Sequence, residues 1–235
     1  MTNSIKKKLL FVIKSFGYSI LFLLYGKIKG IIDSTKHESI EIFNTTLDQN
    51  YTYKIFQIKN CRIYTDAVTD TAFIIDNKII NGPSFQHRNP KNAEVSENIV
   101  FQKGTPKLKK KLTGSVFSLL TGGGGNANYW HWLFDVLPRL KILQTKKNLD
   151  EIDFFLFPDI KENYQLETLD ILNIPPKKRI SSKIFRHTQT NTTLAVDHPY
   201  VLKNDASNEI QDLPKWILEY LRKKFIKKKS KKKFS

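Results

Sequence analysis

A chain of 235 residues with 40% hydrophobic and 12% aromatic content is long enough to bury a substantial core and too apolar to be disordered by composition. Its single cysteine, Cys61, excludes an intrachain disulfide and a multi-cysteine metal cluster, and suits a reducing, cytoplasmic compartment. The formal charge of +17 is confined to the ends: six lysines and no acid in residues 1–29, nine basic residues and no acid in 222–235, and 24 basic against 22 acidic residues between them, so a specific nucleic-acid interface is not expected.

Lys6, Lys7 and Lys8 precede an apolar run, Lys14 interrupts it, and Lys27 and Lys29 follow it. The uninterrupted stretch, residues 15–26, would make a helix of about 18 Å against a hydrocarbon core of about 30 Å. No small-x-small cleavage site follows, which argues against a signal peptide. Residues 1–33 therefore read as a helix lying on the anionic inner face of a membrane, with Phe11, Phe16, Ile20, Phe22 and Leu23 in the acyl boundary. An ordinary helix packed on the body is the alternative.

Residues 34–113 read as a β-rich region with loops. The runs at 51–58, 61–65 and 71–75 and the residues after the Asp76-Asn77 turn have strand composition. Pro83, Pro90 and Pro106 mark 82–111 as mostly loop, with a short strand expected near Ile99 to Gln102. From Gly114 to 221 strands alternate with helices: strands at 114–120 and 152–157, weaker ones near 179–182 and 192–196, and helices at 128–144, 162–173 and from Pro214 as an N1 residue. This alternation predicts an α/β domain of Rossmann-like, doubly wound type.

The step from the first of those strands through Gly122, Gly123, Gly124 and Gly125 into a helix is where such a sheet places ligands. Neither a dinucleotide fingerprint nor a P-loop is present. Along the helix, Tyr129, Leu133, Val136, Leu140 and Leu143 form an apolar stripe, with His131 and Asp135 one turn apart on the opposite side. Such a pair can do acid–base chemistry: Asp135 accepts a proton from an attacking hydroxyl, or orients His131 to do so. A purely structural hydrogen bond between them is the alternative. A metal site would need His187 or His198 from elsewhere in the chain and is not expected. Trp130 and Trp132 are candidates for stacking on a sugar ring or for core. Pro138 predicts a kink, and Arg139 either pairs with Asp135 or meets a phosphate.

The run Asn128-Tyr129-Trp130-His131-Trp132-Leu133-Phe134-Asp135, continuing Val136-Leu137-Pro138-Arg139-Leu140, resembles the N-terminal signature of glycosyltransferase family 61, which includes bacterial capsular-polysaccharide biosynthesis proteins. The likeness extends more loosely over Gly114 to Ile226. It implies the first half of a GT-B-like fold, inverting transfer from a nucleotide-sugar donor to a glycan acceptor, and no obligatory metal or other cofactor. It implies acceptor-side catalytic roles for His131 and Asp135. Gly123, Gly124, Gly125, Asn126, Asn128, Trp130, Trp132 and Arg139 are the candidate substrate contacts beside them. A second, donor-binding domain does not fit in the residues after Gly114, so an acceptor-side half that stops within the basic stretch 222–235 is expected. A non-catalytic remnant, and a protein that binds anionic surfaces or nucleic acid through its basic ends, are the competing readings.

Overall fold

In the computed structural model, which describes residues 15–49, 51–86, 94–121, 126–200 and 211–226, all strands join one mixed sheet. Its centre is parallel. Strands β8 (Lys110–Ser118), β9 (Phe154–Phe157), β10 (Arg179–Ser181) and β11 (His187–Val196) lie in the order β11-β8-β9-β10. The N-terminal strands continue from β11: β3 (Tyr51–Lys59) and β4 (Arg62–Thr65) pair antiparallel with its two halves. Beyond β3 lies β2 (Ile40–Asp48). Beyond β4 come β5 (Asp70–Ile75), with the short β7 (Phe85–Gln86) beside it, then β6 (Lys78–Asn81) and finally β1 (Gly30–Asp33), parallel to β6.

The β-rich and βα segments of the sequence are therefore parts of one sheet, and the boundary at residue 33 falls after a strand rather than before one. The strand expected near Ile99 to Gln102 is instead a helical turn, α2 (Val100–Lys103), after the first helix, α1 (residues 15–25). Its β-branched residues lose to capping: the Asp70 carboxylate accepts from Ile99 N–H, Asn98 Oδ1 from Val100 N–H, and Gly104 at φ +60° ends the turn. β1 and β2 arise from stretches with no strand expectation.

Strand alternation divides the core between the two faces of the sheet, in three clusters, of which the smallest gathers Ile28, Tyr64, Ala72, Ile74, Ile79 and Val100. One face carries Ile55, Phe117, Phe155, Phe157, Leu194 and Val196, covered by three helices. These are α3 (129–144), built from Tyr129–His131, Trp132–Val136 and Leu137–Gln144; α4 (Asn163–Ile171); and α5 (Lys215–Phe225). The other face carries Phe56, Ile58, Val116, Leu156 and Ala195, buried against Ile32, Ile63, Phe73 and Ile80 of the antiparallel wing, and no helical residue belongs to this cluster. α5 places Trp216, Ile217, Tyr220 and Leu221 in the core, with Pro214 as the residue before its first turn.

The middle of α3 is a π-turn. Leu137 N–H donates to the carbonyl of Trp132, five residues back, because Pro138 lacks an N–H and its ring crowds the carbonyl of Phe134 in a regular helix. The kink expected at Pro138 is thus a widened turn, and it lies between the two halves of the candidate site.

Candidate functional site

β8 leads through the glycine loop into α3 and then to β9 on one side, whereas β11 lies on the other side of β8, parallel to it, with Leu194 level with Phe117. The carboxyl ends of β8 and β11 lie side by side, at the end of the sheet where open α/β folds place ligands. His131 and Asp135 arrive there from α3. Asp197, His198 and Tyr200 arrive directly from the end of β11.

Asp135 is at the centre. His131 Nδ1 lies 2.7 Å from its Oδ2, and the Tyr200 hydroxyl donates to its Oδ1 at 2.6 Å. His198 Nε2 is 3.8 Å from the same Oδ1, beyond hydrogen-bond range but close enough for charge to act. Burial pushes the carboxyl pKa up, but the bond from His131 and the charges of the two imidazoles outweigh it and hold it well below the usual carboxylate range. An ionised carboxylate only accepts, so the proton of the short contact sits on His131 Nδ1. Solvent reaches the His131 side chain at 23% of its surface and that of Asp135 at only 4%. The carboxylate is thus a partner of the imidazole and is not itself open to a substrate hydroxyl.

The stripe geometry of a regular α-helix puts Asp135 opposite the core, yet its residue is 3% exposed. The π-turn accounts for the difference: it shifts the phase of the helix, burying Trp132, Asp135 and Val136 together and leaving Tyr129 56% exposed.

Around this pair, Arg139 is buried and its Nε donates to the carbonyl of Asp135 at 3.0 Å, not to the carboxylate. Burial pushes its pKa down to about 10 against the opposing charges of Asp135 and Asp197, so it remains a guanidinium cation at neutral pH. Asp197 is held by the N–H of Lys54 at 2.7 Å, and burial raises its pKa. The segment carrying Tyr200 is fixed from below: Trp216 Nε1 donates to Tyr53 Oη, and Tyr53 donates to the carbonyl of Pro199, each at 2.9 Å.

The other expected contacts separate. Trp132 is fully buried and its Nε1 donates to Thr168 Oγ1 at 2.9 Å, so it is core and cannot stack on a sugar. Trp130 is half-buried, with its ring centroid 4.1 Å from that of Phe134. Asn126 uses both ends of its amide on the protein: Nδ2 donates to the carbonyl of Ala67, and Oδ1 accepts from Asp159 N–H. Asn128 caps α3 by accepting from His131 N–H. These two asparagines shape the loop and the helix start, where substrate contacts were expected. Gly123, Gly124 and Gly125 lie outside the described residues.

His187, the other metal candidate, is at the opposite end of β11 from these residues, fully buried against Tyr25 and Tyr64, with Nδ1 2.9 Å from the carbonyl of Lys107. Burial pushes its pKa down to about 4. Among the described residues no group of three or more His, Cys, Asp or Glu side chains is arranged to hold a metal ion. Sequence reasoning missed Asp197 and Tyr200 and saw His198 only as a possible metal ligand; the DHPY run that closes β11 is the local signal that could have found them.

The class of protein defined by these observations is a mixed α/β fold with a mostly parallel central sheet and a His–Asp pair near the carboxyl ends of its central strands. Comparisons with protein-family models and with curated proteins give no match to this chain.

Proposed function

We propose that this protein is a glycosyltransferase that moves a sugar from a nucleotide-activated donor to a glycan hydroxyl, working on the cytoplasmic side of an anionic membrane surface. Support for the sugar-transfer chemistry comes from the resemblance of the Asn128 to Leu140 run. The observation that carries the site is the 2.7 Å contact between His131 and a buried, ionised Asp135. The same reading takes the β8-α3-β9-α4-β10 succession as the Rossmann-like half of a GT-B-type architecture, with the helices on a single face of the sheet.

In this mechanism His131, held as its Nδ1–H tautomer by Asp135, takes the acceptor proton on Nε2. The acceptor oxygen forms a bond to the anomeric carbon while the bond from that carbon to the phosphate oxygen breaks, and the electron pair leaves with the nucleoside diphosphate. Asp135 stabilises the imidazolium that forms, and Tyr200 fixes the carboxylate. His131→Gln keeps a hydrogen-bonding amide and removes the base. With a panel of nucleotide sugars and capsular oligosaccharides, acceptor-dependent release of nucleoside diphosphate should fall by about 10²-fold or more in that variant. Release that is undiminished in His131→Gln, or absent from the parent protein with every donor, counts against the proposal.

A further inference from the structure

Away from the His131–Asp135 pair, a small, almost wholly polar cleft of about 310 Å³ opens where the end of α1 meets the β5–β6 turn, with Arg62, Lys109, Asn60, Gln189 and Tyr25 on its walls. Arg62 is 8% exposed. Among the described residues its side chain's one hydrogen bond runs from Nη2 to the neutral Asn77 Oδ1. Among the described residues neither Arg62 nor Lys109 forms an ion pair, and Asp76, also on the cleft wall, pairs with neither. Lys109 is instead held over the ring of Tyr25, its Nζ 5.5 Å from the centroid, while the Tyr25 hydroxyl accepts from Lys109 N–H. Burial and the charges of Arg62 and Lys111 lower the Lys109 pKa.

A buried guanidinium without a countercharge is costly, and a second cation beside it adds repulsion. Folded chains keep such pairs where an anion completes them, and a tetrahedral phosphate matches a forked guanidinium and a point ammonium together. The cleft is also built around α1. Gly26, at φ +76°, brings the helix end so close to Asn77 that an added Cβ would lie 2.6 Å from its amide nitrogen, and Lys29 N–H donates to the Asn77 carbonyl. Leu24, 66% exposed, is on the rim of the same cleft.

We infer that the Arg62–Lys109 cleft is a binding site for a phosphate group, supplied either by a free phosphate compound or by the headgroup of a lipid in which α1 rests. The inference stands apart from the sugar-transfer reading. Inorganic phosphate, titrated at constant ionic strength against chloride, should raise the thermal midpoint of the full chain saturably. Lys109→Gln, a change at the cleft wall, should weaken the apparent affinity at least fivefold, and Arg62→Gln should abolish saturation, while the exposed control Lys146→Gln leaves it unchanged. Should Arg62→Gln not fold, Lys109→Gln decides alone. Flotation separates the sources: for a lipid headgroup, phosphatidylcholine vesicles with phosphatidic acid should retain the parent better than vesicles with phosphatidylserine at equal surface charge, and Lys109→Gln should lose that preference. Equal retention with a saturable phosphate response assigns a free phosphate compound. No saturable response to either probe, or a Lys109→Gln variant that behaves like Lys146→Gln, overturns the inference.

Discussion

Asp135 accepts from two donors on two oxygens, His131 Nδ1–H and the Tyr200 hydroxyl, and an asparagine in its place has only one acceptor to offer them. One donor then faces an amide N–H₂, and the imidazole is driven to the other tautomer. Asp135→Asn should therefore lower transfer by roughly 10²- to 10⁴-fold in the proposed mechanism while the protein still folds. It should also cost about 2–4 kcal/mol of stability at neutral pH, since a buried charge–hydrogen-bond network is broken. The pH dependence has a definite sign. The folded-state pKa of Asp135 lies below the ordinary value of 3.8, so its contribution is fully present above that value and is lost as pH falls below it. Urea titrations should show the gap between parent and variant narrowing as pH falls below about 4; a gap that stays unchanged down to about pH 2 would contradict the assignment. Residues four apart on a helix made this pair legible in the sequence. Tyr200 was not, because it is 65 residues away in the chain and reaches Asp135 only through the pairing of β11 with β8. Nor was the burial of Asp135, which needs the i to i+5 bond that Pro138 induces.

Strands and helices after Gly114 were legible from periodicity, and their physical determinants are local; the bend within β8 was not. Gly114 has φ +107°, its N–H donates to Asn191 Oδ1, and the β8–β11 register slips between Thr190 and Thr192. A Cβ there would lie 2.3 Å from Asp153 Oδ2, the oxygen that accepts from both Ser115 N–H and Ser115 Oγ. Gly114→Ala is thus strained in its backbone and also displaces the carboxylate that joins β8 to the start of β9. A loss of about 2–4 kcal/mol is expected, larger than the ordinary cost of a glycine replacement, and chemical denaturation would read it directly. A loss under about 0.5 kcal/mol would mean that the bulge relaxes freely. The turn at Val100–Lys103 teaches the converse lesson: Ile99, Val100 and Phe101 have strand propensity, and the Asp70 and Asn98 side chains override it from outside the segment.

On the scale of the whole molecule, α1 is a helix with two apolar faces, of which the inner one is partly covered. Tyr18, Phe22 and Tyr25, spaced i, i+4, i+7, turn to the body, where Phe22 lies against Gly104 and Tyr25 against His187, although Tyr18 is still 50% and Phe22 40% exposed. Phe22, expected at the acyl boundary, thus faces Gly104 and stays partly exposed. Phe16, Ile20 and Leu23 have the same spacing on the opposite face and are 69%, 41% and 82% exposed, whereas Phe11 lies outside the described residues. No helix among the described residues is long and apolar enough to cross a membrane. In the proposed membrane association α1 acts as an interfacial helix, and burying that outward stripe in lipid would supply the partner that the body does not. Because β1 follows only four residues after α1 and pairs with β6, the test must spare residues 30–33, and substitution is cleaner than deletion. Changing Phe16 and Leu23 together to serine removes exposed apolar surface without touching Tyr18, Phe22 or Tyr25. The variant should keep the parent's thermal midpoint within about 2 °C and lose at least tenfold in partitioning to vesicles containing anionic lipid, as measured by flotation. Raising salt should weaken the parent further by screening its lysines. Undiminished partitioning by a folded Phe16→Ser, Leu23→Ser protein would remove the membrane role from α1 and leave its outer stripe as an ordinary exposed surface.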